Sequence, residues 1–321
     1  MNLLTFQMVV FSKILQMQKI LILQDLGIPQ EKFDELISKI GLQNEFVRDD
    51  LDSDNIIGII TIKSRVDESL LDKLPNVKFV AVAFTGYDAV DLEAAKRRNI
   101  KVFNVPTYAT DCTAELAAGL AISLLREIPK GHQITMSGGW DIRPGNELAG
   151  KTVGIIGTGS IGIRTAELFK AFKCNLIGWS RTERAEFTNL GGTYKNAITD
   201  VFREADIISI HLLLNDSTKE IIGTREFSVM KKTAYFINVA RGPIVKTNDL
   251  ADALKSNTLA GAAIDVFDVE PIEQSNPLLK APNIILTPHI AYKTEESLLR
   301  RAEITLQNIK AFSEGSPQNV V

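Results

Sequence analysis

Arg241, Glu270 and His289 each follow a short apolar run, and together they supply a guanidinium, a carboxylate and an imidazole. Those are the parts of a proton-transfer site for an anionic carbonyl compound. The arginine, in Asn238-Val-Ala-Arg241-Gly-Pro243, can make a bidentate contact with a carboxylate and polarise a neighbouring carbonyl. An imidazole that titrates near neutrality can carry the proton. A carboxylate on its other ring nitrogen would fix the ring and favour the protonated form, so that reduction fades as pH rises and His289 loses its proton. Taken singly, such residues are more often surface charges than catalysts. Three of them at the strand ends of one α/β unit make the functional reading the better one. The chain has only three histidines. His132 lies in a helical stretch and reads as structural. His211 ends the apolar run Ile207–Ile210 and reads as structural or as packing against a cofactor. His289 lies in Leu286-Thr-Pro-His-Ile-Ala291, just past a strand, where open α/β sheets bind their ligands.

A second motif names a partner for this chemistry. Gly157-Thr158-Gly159-Ser160-Ile161-Gly162 matches G-x-G-x-x-G, with an apolar strand before it and an amphipathic helix after it. Gly157 permits the tight turn, Gly159 lets the backbone approach a pyrophosphate, and Gly162 allows close helix–strand packing. The anion would sit on free N–H groups at the positive end of the helix dipole. NAD-binding units place Asp or Glu about 20 residues on, against the ribose hydroxyls. Here Ser180 and Arg181 stand instead, with Arg184 close by. A carboxylate would repel a 2′-phosphate and Ser plus Arg would accept one, so NADP(H) is expected in preference to NAD(H).

The elements that must position these residues alternate along the chain. Apolar runs at Lys19–Leu23, Ile56–Ile60, Val77–Ala83 and Ile100–Phe103 are separated by amphipathic stretches such as Asp91–Arg98, and Pro29 opens a helix. A long helix is expected over Asp111–Arg126. A second series follows at Thr152–Ile156, Asn175–Trp179, Asp206–Ile210, Thr233–Asn238, Leu259–Ile264 and Asn283–Thr287. Helices are expected between those strands at Ile161–Phe172, Ala197–Glu204 and Thr247–Lys255, with a closing helix from about Thr294 to Phe312. This is the pattern of parallel α/β structure. Gly138-Gly139-Trp140-Asp141 and Arg143-Pro144-Gly145 mark a loop between the two series.

Composition agrees with a globular pair of domains: 321 residues, 45% hydrophobic and 23% charged, with a net charge of −3. The balance argues against a nucleic-acid partner. No apolar run reaches the ~18 residues of a membrane helix. The first 18 residues lack a basic n-region and a small-residue cleavage site, so they read as an ill-defined extension rather than a signal peptide. Cys112 and Cys174 are isolated, which argues against a disulfide scaffold or a metal site and for a reducing, cytoplasmic setting.

From Lys19 onward the chain resembles the D-isomer-specific 2-hydroxyacid dehydrogenase family. The resemblance rests on the glycine loop, His211-Leu-Leu-Leu-Asn-Asp-Ser-Thr218, Asn238-Val-Ala-Arg-Gly242, Asp265-Val-Phe-Asp-Val-Glu-Pro271 and Thr287-Pro-His-Ile-Ala291. It implies a Rossmann doubly wound parallel sheet as cofactor domain (118–295) and a flavodoxin-like α/β substrate domain (1–117 with 296–321). It implies that Arg241 binds substrate, that His289 gives the proton in keto-acid reduction, and that Glu270 is its partner. Asp265 would bind the nicotinamide carboxamide. Val239, Ala240, His211, Thr218 and Ala291 would border the cofactor. Backbone amides near Lys63, Ser64 and Arg65, and at Thr85 and Gly86, would meet the substrate carboxylate. A homodimer formed through the cofactor domain is also implied.

Thr85-Gly86-Tyr87-Asp88 with Asn104-Val-Pro-Thr-Tyr108 resembles glycerate dehydrogenases and hydroxypyruvate or glyoxylate reductases. Formate dehydrogenases pair glutamine with their histidine, and Glu270 argues against that branch. The alternatives are a D-lactate-like dehydrogenase, a phosphoglycerate dehydrogenase (which often carries an added regulatory domain, for which this chain ends too soon) and, from a different class, a dinucleotide-sensing corepressor. The complete Arg, Glu and His set counts against the last.

Overall fold

The structure is a computed structural model that describes residues 18–48, 54–140 and 144–321. Residues 1–17 of the expected extension, and Asp141 and Arg143 of the expected loop, lie outside the described residues. The chain divides into two compact units. One runs to Tyr108 and includes Glu295–Val321; the other is Ala109–Thr294.

The first unit is a five-stranded parallel sheet in the order β2-β1-β3-β4-β5: β1 Lys19–Ile22, β2 Glu45–Val47, β3 Ile56–Thr61, β4 Phe79–Val82 and β5 Lys101–Phe103. Strands covered on both faces read as continuous apolar runs, and every residue of β4 is buried. Helix α1 (Gln30–Ile40) begins after Pro29 and stops at Gly41, whose φ of 77° supplies the left-handed C-cap. Helices α2 (Glu68–Lys73) and α3 (Leu92–Arg97) are N-capped by the carboxylates of Asp67 and Asp91. The closing helix Glu295–Ser313 belongs to this unit. The strand order is flavodoxin-like and reverses between β1 and β3.

The second unit opens with α4 (Thr110–Leu125), which buries Ala114, Ala117, Ala118 and Ala121, and α5 (Ile128–Met136), which buries nothing. The boundary expected at residue 117 would cut α4 in two. The helix instead falls whole in this unit because its small apolar face packs into the unit's own core beside Val153, Ile155 and Phe169. Next come β6 Thr152–Ile156, α6 Ser160–Ala171, β7 Asn175–Trp179, α7 Ala185–Asn189, β8 Thr193–Tyr194, α8 Ile198–Glu204 and β9 Ile207–Ile210. They are followed by α9 Thr224–Ser228, β10 Tyr235–Asn238, α10 Thr247–Lys255, β11 Gly261–Ile264 and β12 Ile284–Leu286. All seven strands are parallel, in the order β12-β11-β10-β9-β6-β7-β8. This is the doubly wound Rossmann arrangement, with its reversal between β6 and β9. A parallel sheet sends every strand's carboxyl end to one edge, so the loops after β6, β7, β9, β10, β11 and β12 leave from the same side. No helix among the described residues is long and apolar enough to cross a membrane.

Candidate active site

The turn after β6 is the glycine loop. Gly157 has a φ of 96°, and a Cβ there would lie 2.7 Å from the carbonyl oxygen of His211. A Cβ on Gly162 would lie 2.0 Å from the oxygen of Gly157, so α6 can pack on its strand only without one. Gly159 is different: a Cβ there would meet no protein atom within 4 Å. The fold itself does not require glycine at 159, and open space beside an N-terminus with no side-chain cap fits the approach of a pyrophosphate. Ser160 and Ile161 begin that helix. Thr158 is buried, and its hydroxyl meets that of Tyr194 at 2.6 Å. The Gly157 N–H donates to the Trp179 carbonyl at 2.8 Å, which brings the end of β7 beside the loop. Ser180 follows half-buried and Arg181 exposed, with no carboxylate at the strand end.

His211, after β9, lies between the glycine-loop strand and β10. Its Nε2 is 2.8 Å from Ser209 Oγ, and burial pushes the imidazole down to about 3. It is therefore a neutral ring and not an acid at physiological pH. Thr218 ties up its own turn: its hydroxyl donates to the Leu213 carbonyl at 2.6 Å and accepts from Asn215 N at 2.8 Å. Burial pushes the Cys174 thiol up to about 11, so that cysteine is held protonated. Cys112 is also buried.

Arg241, Glu270 and His289 follow β10, β11 and β12, three adjacent strands. The Arg241 turn is clamped by buried Asn238, whose Nδ2 donates to the Arg241 carbonyl at 2.9 Å and whose Oδ1 accepts from Ala240 N at 3.0 Å. Val239 is buried within this turn. His289 Nδ1 lies 2.8 and 2.7 Å from the two carboxylate oxygens of Glu270. The Tyr292 ring lies nearly perpendicular to the imidazole, with centroids 5.4 Å apart. The backbone of His289 is left-handed, with φ 52°, an uncommon state for a residue with a Cβ and one that aims this side chain.

Asp265, fully buried, explains how that backbone is held. It accepts from Thr287 Oγ1 at 2.6 Å and from the N–H groups of Ile290 and Ala291, each at 2.9 Å. Its first task is thus to fold the loop around His289, which leaves little acceptor capacity for a cofactor amide. The supporting parts Asn238, Tyr292 and Tyr194 had no role in the sequence reading. Asn238 carries a faint signal, as an amide at the end of a buried strand just before a turn.

In the first unit, the N–H groups of Lys63 and Ser64 donate to Gln24 Oε1 at 2.5 and 2.7 Å, and that of Ile62 does so at 3.2 Å. The Lys63 and Ser64 amides, in the segment expected to meet a carboxylate, are therefore already engaged. The Arg65 side chain extends to Asp67 at 3.3 Å. Thr85 donates to the Val105 carbonyl at 3.1 Å, and Gly86 beside it is buried.

A doubly wound unit with an open glycine loop, and an Arg, Glu and His on neighbouring strand ends, defines a nicotinamide-dependent dehydrogenase. The family model described as D-isomer specific 2-hydroxyacid dehydrogenase, NAD binding domain, matches residues 118–291. The chain is 39% identical over 270 residues to a glyoxylate reductase of Aeropyrum pernix, covering 81% of each protein. It is 33% identical to a hydroxypyruvate reductase of Blautia hydrogenotrophica, covering 90% of this chain and 88% of that one. Among solved structures, an acyclic imino acid reductase in complex with NADPH and D-Arg is similar at 25% identity and a TM-score of 0.84, covering 94% of this chain and 99% of that one. The chain belongs to the D-isomer-specific 2-hydroxyacid dehydrogenase family and is an oxidoreductase that binds a nicotinamide dinucleotide.

Proposed function

We propose that the protein reduces a small 2-keto acid of the glyoxylate or hydroxypyruvate type to the D-2-hydroxy acid, and catalyses the reverse, with NADP(H) preferred over NAD(H). The observation that carries this reading is the imidazole of His289 held by both oxygens of Glu270, whose strand is the neighbour of the one that leads into the arginine turn. Bound nicotinamide supplies the hydride. Arg241 holds the substrate carboxylate and draws electron density from the carbonyl. A carboxylate can only accept, so His289 keeps a proton on Nδ1, and Nε2 is the atom that gives one to the new hydroxyl. In the reverse direction the same nitrogen takes it back. Asp265 keeps this loop in place and offers its remaining acceptor capacity to the nicotinamide carboxamide. Val239, Ala240, His211, Thr218 and Ala291 border the dinucleotide. The amides at Ser64–Arg65 and Thr85–Gly86 meet the substrate carboxylate, and Gln24 must first release the Ser64 N–H.

Ser180 and Arg181 at the end of β7, where a carboxylate would discriminate against a 2′-phosphate, support the choice of NADPH. The similar acyclic imino acid reductase in complex with NADPH supports the same choice. A homodimer is supported by α5, which buries no residue and ends on Met136, 76% exposed, with Trp140 beyond it 82% exposed. Light scattering would reveal it. Initial rates on glyoxylate, hydroxypyruvate and pyruvate, each with NADH and NADPH, test the reaction. Turnover of none of the three sinks the substrate reading, and a clear NADH preference sinks the cofactor choice.

A further inference from the structure

We propose that Tyr194 is a positioning residue for the cofactor, whose hydroxyl ties the glycine loop to the Ser180–Arg184 loop and so sets affinity for the adenosine end of the dinucleotide. The proposal rests on the reading that these two loops bind that end. Tyr194 lies on the two-residue edge strand β8, in register with Gly178 of β7. Its ring packs against fully buried Phe187, with centroids 5.0 Å apart. Gly178 makes this packing possible, because a Cβ there would lie 2.8 Å from the Phe187 ring. Thus the phenol is fixed at its base by aromatic packing, and only its hydroxyl remains to be satisfied.

That hydroxyl has two partners on two different loops. It lies 2.6 Å from Thr158 Oγ1 and 2.9 Å from the backbone nitrogen of Arg184. The direction of the bonds follows from what each group can do. A backbone N–H only donates, so the tyrosine oxygen accepts from Arg184, while between Tyr194 and Thr158 either hydroxyl can be the donor. Thr158 is 1% exposed and stands between Gly157, which makes the turn, and Gly159, which leaves it open. Arg184 closes the loop that begins at Ser180 and leads into α7. One hydroxyl therefore joins the segment that receives the pyrophosphate to the segment that receives the adenosine ribose. Phenylalanine would keep the packing on Phe187 and leave both loops without this shared partner.

Dinucleotide binding by the full chain tests this. For Tyr194→Phe, fluorescence titration should show the Kd for NADPH and for NADH each raised about tenfold, the order expected when one hydroxyl loses two hydrogen bonds. Reduced nicotinamide mononucleotide, which lacks the adenosine end, serves as the control hydride donor. Its kcat/KM should stay within about twofold of wild type, where a general loosening of the fold would lower it as well. Unchanged Kd values for both dinucleotides would overturn the proposal, and so would an equal loss with the mononucleotide. Thr158→Val, which removes the hydroxyl partner but not the phenol, should weaken both dinucleotides; full affinity in this variant counts against the proposal. The choice of NADPH is judged separately, by the wild-type ratio of the two Kd values, which the variant-to-wild-type factors do not use.

Discussion

Glu270 presents both of its carboxylate oxygens to one nitrogen of His289, Nδ1, at 2.8 and 2.7 Å. Phe267 N–H donates to Glu270 Oε1 at 3.3 Å and steadies the carboxylate from its own loop. The ring is thus held in the tautomer that leaves Nε2 for chemistry. His289→Ala should lower kcat for reduction by about 10²–10⁴-fold, the usual share of a general acid, with little change in the KM of the keto acid. Glu270→Gln keeps one acceptor and loses the charge, and an intermediate loss of about 10–100-fold is expected. Steady-state kinetics at saturating cofactor would read both effects, and wild-type turnover in His289→Ala would remove the residue from the mechanism.

Arg241 is expected to act through the shape of its guanidinium as well as its charge. The turn that carries it is clamped by Asn238 on two sides, so the fork has a fixed origin. Lysine at 241 keeps the charge and loses the two parallel donors. Arg241→Lys should therefore lower kcat/KM for a 2-keto acid by about 10²-fold, a loss closer to that of Arg241→Ala than to wild type. Dinucleotide Kd should be nearly unchanged in either variant. If the lysine variant keeps near-wild-type kcat/KM, the bidentate role is wrong.

Much of this arrangement is legible in the sequence because apolar runs in a parallel sheet place their carboxyl ends on one edge. That is why Arg241, Glu270 and His289 could be grouped from strands expected at Thr233–Asn238, Leu259–Ile264 and Asn283–Thr287. The edge strands Glu45–Val47 and Thr193–Tyr194 left no such trace. They have three and two residues and are partly exposed, and they exist through pairing with β1 and β7 rather than through an apolar pattern of their own. Side-chain partners were less visible still. Nothing in the spacing shows that Gln24 collects amides from residues 62–64, or that Asp265 spends itself on the loop around His289. Those bonds join segments that become neighbours only when the chain is folded.

His211 gives a pH dependence of opposite sense to that of a paired histidine. Its folded value lies near 3, whereas an unfolded chain protonates histidine near 6.5. Above about pH 6.5 neither state binds the proton and the full stability is present. As pH falls from there towards 3, the unfolded state takes up a proton that the native state refuses, so stability declines. Since the residue keeps some exposure, the loss between pH 7 and pH 5 should be about 1 kcal/mol, below the ~2 kcal/mol of a fully excluded ring. Urea unfolding of wild type and His211→Gln at the two pH values would show it as a smaller pH effect in the variant. An equal pH effect in both would mean that His211 does not supply it.

Gly159 and Gly162 lie three residues apart and should fail in different ways. A Cβ at 162 meets the Gly157 oxygen at 2.0 Å, and backbone must move to admit it. Gly162→Ala should unfold at lower temperature, losing about 1–3 kcal/mol as overpacked sites do. At 159 a Cβ meets nothing of the protein within 4 Å, and a φ of −72° is open to any residue. Gly159→Ala should fold with a loss of at most about 1 kcal/mol, the cost of a poorer N-cap. Its methyl group would nevertheless stand in the space the pyrophosphate needs. The Kd for the dinucleotide should therefore rise at least about tenfold while Tm stays within a few degrees. Should Gly159→Ala bind the dinucleotide as wild type does, the open space at 159 is not where the pyrophosphate lies.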